Sequence, residues 1–422
     1  MNIDMNNDLS HTLQQTLDTA YQWSRTQSYQ GYNKHDALNS PILKLLMGWS
    51  KWPRMLAIQG VMRFPINLRP YLMTHKSYNP KGLALIIQGL LRRYQTSQQT
   101  EYLEEAEQLL QLLIELRSNT DTQWQGTCWG YHYPWQDPGF FAPSKMPNAV
   151  VTCFVCEAFL DAYRVTQKQQ YLDTVSSALT FFNRHLTILK DTEQELCYSY
   201  MPVKMSMRVM DVSILIAAVM MQYSQLSANQ SLEQKATRLA RYVIKQQTKE
   251  GAWFYTDPPQ DSHIRHDNYH TGFILDALAR YHSSGPAQCW HQEYSLGLKF
   301  YLENLFNPDG SPRWMSDCNF PHDIHGAAQG IITFSRHCAD PNPLYAEMAQ
   351  NIFHWALNNM YHPQGRFYYQ QGAWRIKKFT LLRWCNAWMM RAMADYQFHL
   401  HEQSQQSPQS IVNNSPQQGF GS

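Results

Sequence analysis

Charge is scarce in this sequence. Only 16% of its 422 residues are Asp, Glu, Lys or Arg, and 35 basic against 33 acidic residues leave a net +2. Soluble domains average about a quarter, and so even a balance excludes a globally basic nucleic-acid binder. Long apolar runs are missing as well: the longest, around Ile214–Met221, is about half the ~18 residues that a membrane span requires. Met1–Ser10 is polar and acidic and offers no apolar core of a signal peptide. Eight cysteines are too few and too irregular for a disulfide framework. No phosphate-cradling glycine loop, nucleophile elbow or nucleotide fingerprint occurs, so no cofactor is expected. What abounds is aromatic surface, with 13 Trp, 25 Tyr and 18 Phe in a composition that is 44% hydrophobic. Such a chain buries a large core and is not disordered. The expectation is a globular protein of the cytoplasm.

No Pro-, Ser- or Gly-rich linker divides the chain, and an internal repeat accounts for one domain of this length. Aromatic, strand-like snippets recur at Cys128–Tyr131, Cys197–Tyr200, Ala252–Tyr255, Pro312–Met315 and Arg366–Tyr369. Each precedes an apolar, helix-like segment, beginning near Asn148, Asp211, Asn268, Asp323 and Thr380, with a first such segment near Pro80. The steps between them run from 55 to 68 residues, which suits a helical pair plus a loop bearing a short hairpin. Segments such as Asp211–Tyr223 and Gly272–Tyr281 are apolar around most of their circumference, as helices buried on all sides are. Tyr102–Arg117, Ser231–Gln247 and Leu344–Met360 instead carry one apolar stripe. Inner helices near 80–95, 148–165, 211–224, 268–282, 323–337 and 380–397 thus alternate with outer ones, and Leu9–Thr26 supplies the sixth outer helix by closing the ring. The predicted fold is all-α, an (α/α)6 toroid with short β-hairpin-like loops at one rim; an open helical solenoid is the alternative. The expected divisions are an N-terminal segment with the ring-closing helix (1–30), a basic amphipathic segment (31–78), the toroid (79–400) and a disordered tail (401–422). Residues 1–9 are expected to fray.

Several strings carry a resemblance. They are Gly31-Tyr32 followed by Asp36–Ser40, Asn67–Pro70, Asn79–Leu83, Asp267–Gly272, Asp323–Gln329 and Arg383-Trp384. Together the chain resembles, over about residues 31–398, a family of bacterial α/α-toroid proteins associated with exopolysaccharide or lipopolysaccharide biosynthesis. The resemblance implies a cytosolic toroid in a polysaccharide context; it supplies no reaction and no catalytic residues.

In such a toroid all inner helices run the same way, so their N-termini gather at one rim, where partial positive charge favours anionic groups. The loops before them hold the candidates. Trp129, Tyr131, His132 and Trp135 stand beside Asp137, and aromatic faces with polar neighbours are what sugar rings bind. Alternatively, these rings plug the ring's centre and Asp137 caps a turn before Pro138. In His266–His270, Asp267 is a general acid or base, or the helix N-cap; capping suits a base, because N–H bonds hold a carboxyl's pKa down. His270 lies one helical turn beyond His266, with Tyr269 beside it. Without a third ligand that His pair makes no metal site. His322-Asp323-Ile324-His325 repeats the pattern in the next loop. Asp211 occupies the analogous place one repeat earlier and reads as a structural cap with Arg208 as its partner. Arg383 and Trp384, preceded by Lys377 and Lys378, suggest recognition of a substrate carboxylate or phosphate, or an ion pair with Asp267 or Asp323. Cys153-x-x-Cys156 lies within an inner helix and reads as core packing.

Acidic residues vanish between Ala37 and Thr100, where Lys44, Lys51, Arg54, Arg63, Arg69, Lys76, Lys81, Arg92 and Arg93 give a local +9. Trp49 and Trp52 flank the lysines, and Pro53 is expected to kink or divide the helix around it. Residues 41–76 either lie on an anionic membrane surface or form an extra helix packed on the toroid. The function expected is a carbohydrate-active enzyme of cell-surface polysaccharide biosynthesis, acting on a glycan or lipid-linked sugar and free of nucleic acid. Asp137, Asp267, Asp323, His270 and His325 are the candidate catalytic residues, and Trp129, Tyr131, His132, Trp135, Tyr269, Arg383 and Trp384 the substrate contacts. Hydrolysis would pair two carboxylates; epimerase or lyase chemistry would use a His or Tyr base with an acid opposite. The competing expectation is a non-catalytic glycan-binding or scaffold protein serving a membrane-bound polysaccharide complex.

Overall fold

The computed structural model describes residues 2–118, 123–262, 264–285, 290–340 and 342–406, with side chains in the first helix from Asp8 onward. Among them are fourteen α-helices. The chain opens with α1 (Asn2–Thr26) and the shorter α2 (Pro41–Met47) and α3 (Lys51–Arg63). Five inner–outer pairs follow: α4/α5 (Pro80–Ser97, Thr100–Glu115), α6/α7 (Ala149–Thr166, Gln169–His185), α8/α9 (Met210–Ser227, Gln230–Ile244), α10/α11 (Asn268–Ser284, His291–Leu305) and α12/α13 (Ile324–Ser335, Leu344–Met360). The last inner helix is α14 (Trp388–Gln406).

Composition sets which helix lies where. From Met210 to Gln222 every residue of α8 is buried, so this helix has no face for water. In α9 the buried residues form a stripe, Ala236, Leu239, Ala240 and Val243 among them. Three inner helices end in the same way, on a left-handed residue (Gln98, Gln167, Ala228) whose N–H caps the last turn, and the outer helix starts within two residues. That compact turn forces each pair antiparallel. The inner helices pack in sequence order, α14 packs back onto α4, and the ring closes. Across that seam lies α1: the Tyr21 hydroxyl donates to the Ile86 carbonyl at 3.3 Å, and Ser24 Oγ approaches Met390 Sδ at 3.3 Å. The architecture is the expected (α/α)6 toroid, with α1 as sixth outer helix.

Short strands stitch neighbouring loops at one rim. Arg208–Val209 pairs antiparallel with Thr256–Asp257, and His322–Asp323 with Gln370–Gln371, which also pairs with Ile376–Lys377. Hairpins at 135–142, 188–198 and 361–367 stand beside them. The far end is closed by ions rather than strands. Asp276 meets Arg336 at 2.5 Å, Arg391 at 2.8 Å and Arg280 at 3.6 Å, and Asp395 bridges Arg92 and Arg391. Burial alone would raise Asp276, but those guanidiniums hold its carboxyl well below the usual range.

Three expectations change. Pro53 does not break its helix: it occupies the first turn of α3, where its missing N–H leaves no bond unmade, and the chain turns earlier, at Gly48–Ser50. α1 is helical from Asn2, through the residues expected to fray. His401–Gln406, assigned to the tail, continue α14, and the rest of that tail lies outside the described residues. No helix among the described residues is long and apolar enough to cross a membrane.

The seam helix should be a point of weakness. Leu17, on α1, is fully buried, so Leu17→Ala is expected to lose about 2–5 kcal/mol of stability in urea denaturation. A loss within ~0.5 kcal/mol would show that α1 does not hold the ring closed.

Candidate active site

Each helix start leaves backbone N–H groups without partners, and six such starts meet at one rim. The residues that answer them are the first members of the site. Asn79 caps α4 through Gly82 N–H (3.2 Å), and Asn148 caps α6 through Val151 N–H (2.9 Å). Asp267 and Asp323 cap α10 and α12, accepting from the N–H groups of His270 (3.4 Å) and His325 (3.0 Å).

The third inner helix, α8, departs from the pattern. Val209 is the N-cap of α8, and Asp211 lies inside the first turn without a capping bond. Nor is Arg208 its partner, as the sequence suggested: strand pairing carries Arg208 to Asp257, at 2.8 Å. Asp211 is left buried, with Oδ1 lacking a hydrogen-bond partner among the described residues. Burial raises its pKa, opposed by His270 and Lys81. The sixth helix is entered through a π-helical turn, Arg383–Ala387, a wide turn often found where a chain is shaped for function. It buries Arg383 and Trp384.

Around these starts the rings form a continuous wall. His270 Nδ1 lies 3.0 Å from Asp267 Oδ1, so the carboxylate orients the imidazole. Tyr269 touches both histidines of the site, with ring centroids 4.3 Å from His270 and 4.9 Å from His325, the latter stacked. His325 also meets Trp384 and Trp388 at 4.5 Å each. Neither of its ring nitrogens has a hydrogen-bond partner among the described residues, and burial, aided by Lys81 and Arg383, pushes its pKa far down. It is a neutral imidazole. Asp323 is fully engaged: Oδ1 accepts from Trp384 Nε1 (2.7 Å) and Oδ2 from Gln370 (2.8 Å). Arg383 forms no ion pair with Asp267 or Asp323; its guanidinium faces the rings of Trp384 and Tyr131, at 4.9 and 5.4 Å.

Two lysines complete the mouth, and sequence reasoning passed over both. Lys81, in the first turn of α4, is buried with Nζ 3.8 Å from the Phe154 ring centroid and 4.3 Å from that of Phe273. Burial and then Arg383 drive its pKa well down. A signal was available: a cation at a helix N-terminus opposes the macrodipole, and this one opens an otherwise apolar helix. Lys34 arrives from outside the ring. Arg69 donates from Nε to Asp36 Oδ1 (2.6 Å) and from its terminal nitrogen to the carbonyls of Asn33 and Lys34 (2.7 and 3.0 Å). Asn79 donates to Asn33 at 2.7 Å. These bonds fix residues 33–36 as a plug. Gly31 lets it enter, since a Cβ there would come within 2.5 Å of Leu382 Cβ. Lys34 Nζ then lies 3.8 Å over Trp384, with burial lowering its pKa to about 8 against the pull of Asp323.

Asp267, Tyr269, His270, Asp323, His325, Arg383 and Trp384 are thus brought together, and Tyr131 joins them through Arg383. Trp129 and His132 stand elsewhere; Trp135 and Asp137 border the group, Trp135 with its ring 6.3 Å from that of Tyr131 and Asp137 near Tyr255, whose ring lies 4.6 Å from His270. Trp129 is fully buried in the core and donates to the Leu113 carbonyl at 2.7 Å. His132 reaches the Leu116 carbonyl at 3.1 Å, and burial lowers its pKa to about 4. Trp135 packs on His35 and Phe140 at the rim. Asp137 accepts from Gly139 N–H at 3.1 Å, in a turn closed by its own N–H to Phe140. Cys153 and Cys156 are buried thiols.

No protein-family model matches the chain, and no curated protein matches it in sequence. Solved structures share its architecture. It superimposes on cellobiose 2-epimerase from Bacillus thermoamylovorans with a TM-score of 0.57 at 13% identity, covering 79% of this chain and 90% of that one. With the GH76 α-mannanase from Bacteroides thetaiotaomicron the values are 0.58 and 13%, over 81% and 89%. With a glycosyl hydrolase of family 88 from Bacteroides vulgatus they are 0.53 and 11%, over 79% and 95%.

Lys34 burdens the fold, and pH should reveal it. Below about pH 8 it is charged in both folded and unfolded chains, and burying that charge costs its full amount. Between about 8 and its ordinary 10.5 only the unfolded chain holds the proton, so stability rises with pH. Lys34→Met is therefore expected to be more stable than the parent by about 2–3 kcal/mol at neutral pH. The gain should shrink steadily as urea denaturation is repeated at higher pH. A gain independent of pH would show that Lys34 is not buried charged.

Proposed function

We propose that this mouth is the active site of a carbohydrate-active enzyme that moves protons on a sugar, of the epimerase or isomerase type. The observation that carries the reading is His270, oriented by Asp267 and joined through Tyr269 to the uncharged His325. A neutral His270 donating from Nδ1 to Asp267 presents Nε2 as a base. It takes the proton from the carbon next to the carbonyl of an open-chain sugar, and the bonding pair moves onto the carbonyl oxygen. The imidazolium so formed is stabilised by Asp267. The oxyanion is met by Lys34, which is charged below about pH 8, or by a ring N–H of His325, in a water-poor space where such contacts are strong. Return of the proton to the same carbon, once the intermediate has turned its opposite face to His270, gives the epimer; return to the former carbonyl carbon, with the neighbouring hydroxyl proton passing to the oxyanion, gives the isomer. Trp384 and Tyr269 supply faces for the sugar's C–H groups.

Hydrolysis is less well supported, because Asp323 is saturated with donors and Asp267 is committed to His270. The fold neighbours support a carbohydrate reading: their names include sugar epimerases, a mannose isomerase, glycoside hydrolases and a polysaccharide lyase. The context of surface-polysaccharide synthesis in the cytoplasm rests on the sequence resemblance, and within it the substrate is a glycan or lipid-linked sugar.

The test is proton exchange. Protein incubated with reducing sugars and oligosaccharides in deuterated water should place deuterium next to the carbonyl, read by NMR. His270→Gln should slow this about 10²–10⁴-fold with its circular dichroism unchanged. Glycan retained without exchange would move the assignment to a binding scaffold, new reducing ends to a hydrolase, and unsaturated sugars to a lyase.

A further inference from the structure

Away from the mouth the surface has one feature that packing does not explain. Fifteen large apolar side chains are exposed among the described residues, and nine of them fall between Leu45 and Met73. On α2 and α3 these are Leu45, Leu46, Trp49, Trp52 and Leu56, with both tryptophans 72% exposed. Phe64, Ile66, Tyr71 and Met73 continue the patch into the following loop. The helices are not loosely placed: Ala57, Ile58 and Val61 pack inward on Ala37 and Leu38. Trp52, Leu56 and Arg63 lie along the opposite, exposed face of α3. Monomeric proteins seldom leave so much contiguous apolar surface to water.

The charge on this face has one sign. Lys44, Lys51, Arg63 and Lys76 are exposed within it, and residues 37–100 contain no acid to answer them. A second element adds to the same side. The hairpin of Gln370–Lys377 is tied to the end of α3 by Lys377 Nζ donating to the Met62 carbonyl at 3.1 Å. At its tip Trp374 is 99% exposed, and Arg375 and Lys378 beside it are exposed too. A cleft of about 530 Å³ opens next to α2, lined by Lys44, Arg54 and His75 together with Pro134 and Phe141.

We propose that the face formed by α2, α3 and the 370–377 hairpin docks on an anionic lipid bilayer, without crossing it. Tryptophans and leucines enter the headgroup–acyl boundary while lysine and arginine heads stay among the phosphates, the arrangement that favours interfacial binding. A second copy is the poorer occupant. A two-fold interface would press the same positive patch against itself, whereas an anionic surface neutralises it. The inference stands apart from the chemistry of the mouth, so either can fail without the other.

Sedimentation with vesicles tests it. The full-length protein should pellet with phosphatidylcholine–phosphatidylglycerol vesicles and bind phosphatidylcholine vesicles about tenfold more weakly or less, with added salt releasing it. Trp49→Ser with Trp52→Ser should weaken binding to the anionic vesicles about tenfold or more. Lys44→Glu with Lys51→Glu should do the same and flatten the salt dependence. All four side chains are exposed, so the melting temperature should hold; if the tryptophan pair alters it, Trp374→Ser gives the same readout from the hairpin. No pelleting, or equal pelleting of parent and variants, overturns the proposal. So does a parent that sediments as a dimer and becomes monomeric on loss of the tryptophans.

Discussion

Six helices start at one rim, inside a ring that excludes water, and most of the molecule's polar design answers that constraint. Each start brings N–H groups that need acceptors and a positive field that favours anions. Asn79, Asn148, Asp267 and Asp323 meet the need as caps. The packing of α14 back onto α4, with α1 across the seam, makes these ends converge. An open stack of the same helical pairs would present the same caps along a line, and no mouth would exist.

Once the caps are in place, three polar groups of the mouth remain outside the capping pattern. Asp211 caps nothing, Lys81 faces rings where an anion would be favoured, and Lys34 is delivered by a plug whose own rigidity depends on the buried Arg69–Asp36 pair. Burial pushes all three toward their uncharged forms. Burying such groups with few polar partners costs the fold stability. The ionic network at the far end is the reverse case. Asp276 there is surrounded by arginines that hold its carboxyl charged.

Burial also explains which aromatic residues belong to the mouth. Trp129 and Trp384 are both candidate substrate contacts in the sequence. Trp129 spends its indole N–H on an outer-helix carbonyl and becomes core, whereas Trp384 spends its own on Asp323 and faces Lys34. His132 and His325 divide in the same way: one is tied to the Leu116 carbonyl, the other enclosed by rings without a polar partner.

The repeat, the alternation of all-apolar and one-striped helices, the closing role of the first helix and the capping roles of Asp267 and Asp323 were legible in the sequence by itself. Each is a local or periodic property, and helix packing follows from where a segment is apolar. The convergence of Asp267, His270, Asp323 and His325 was likewise implied by equivalent places in two successive repeats. Tertiary structure alone decided which of these groups still had capacity for chemistry, because that depends on partners distant in the chain. Gln370 and Trp384 saturate Asp323, strand pairing draws Arg208 away from Asp211 to Asp257, and a plug outside the repeat carries Lys34 over Trp384. Periodicity shows the face on which a residue lies, but hydrogen-bond saturation and the loss of water are set only when the ring closes around it.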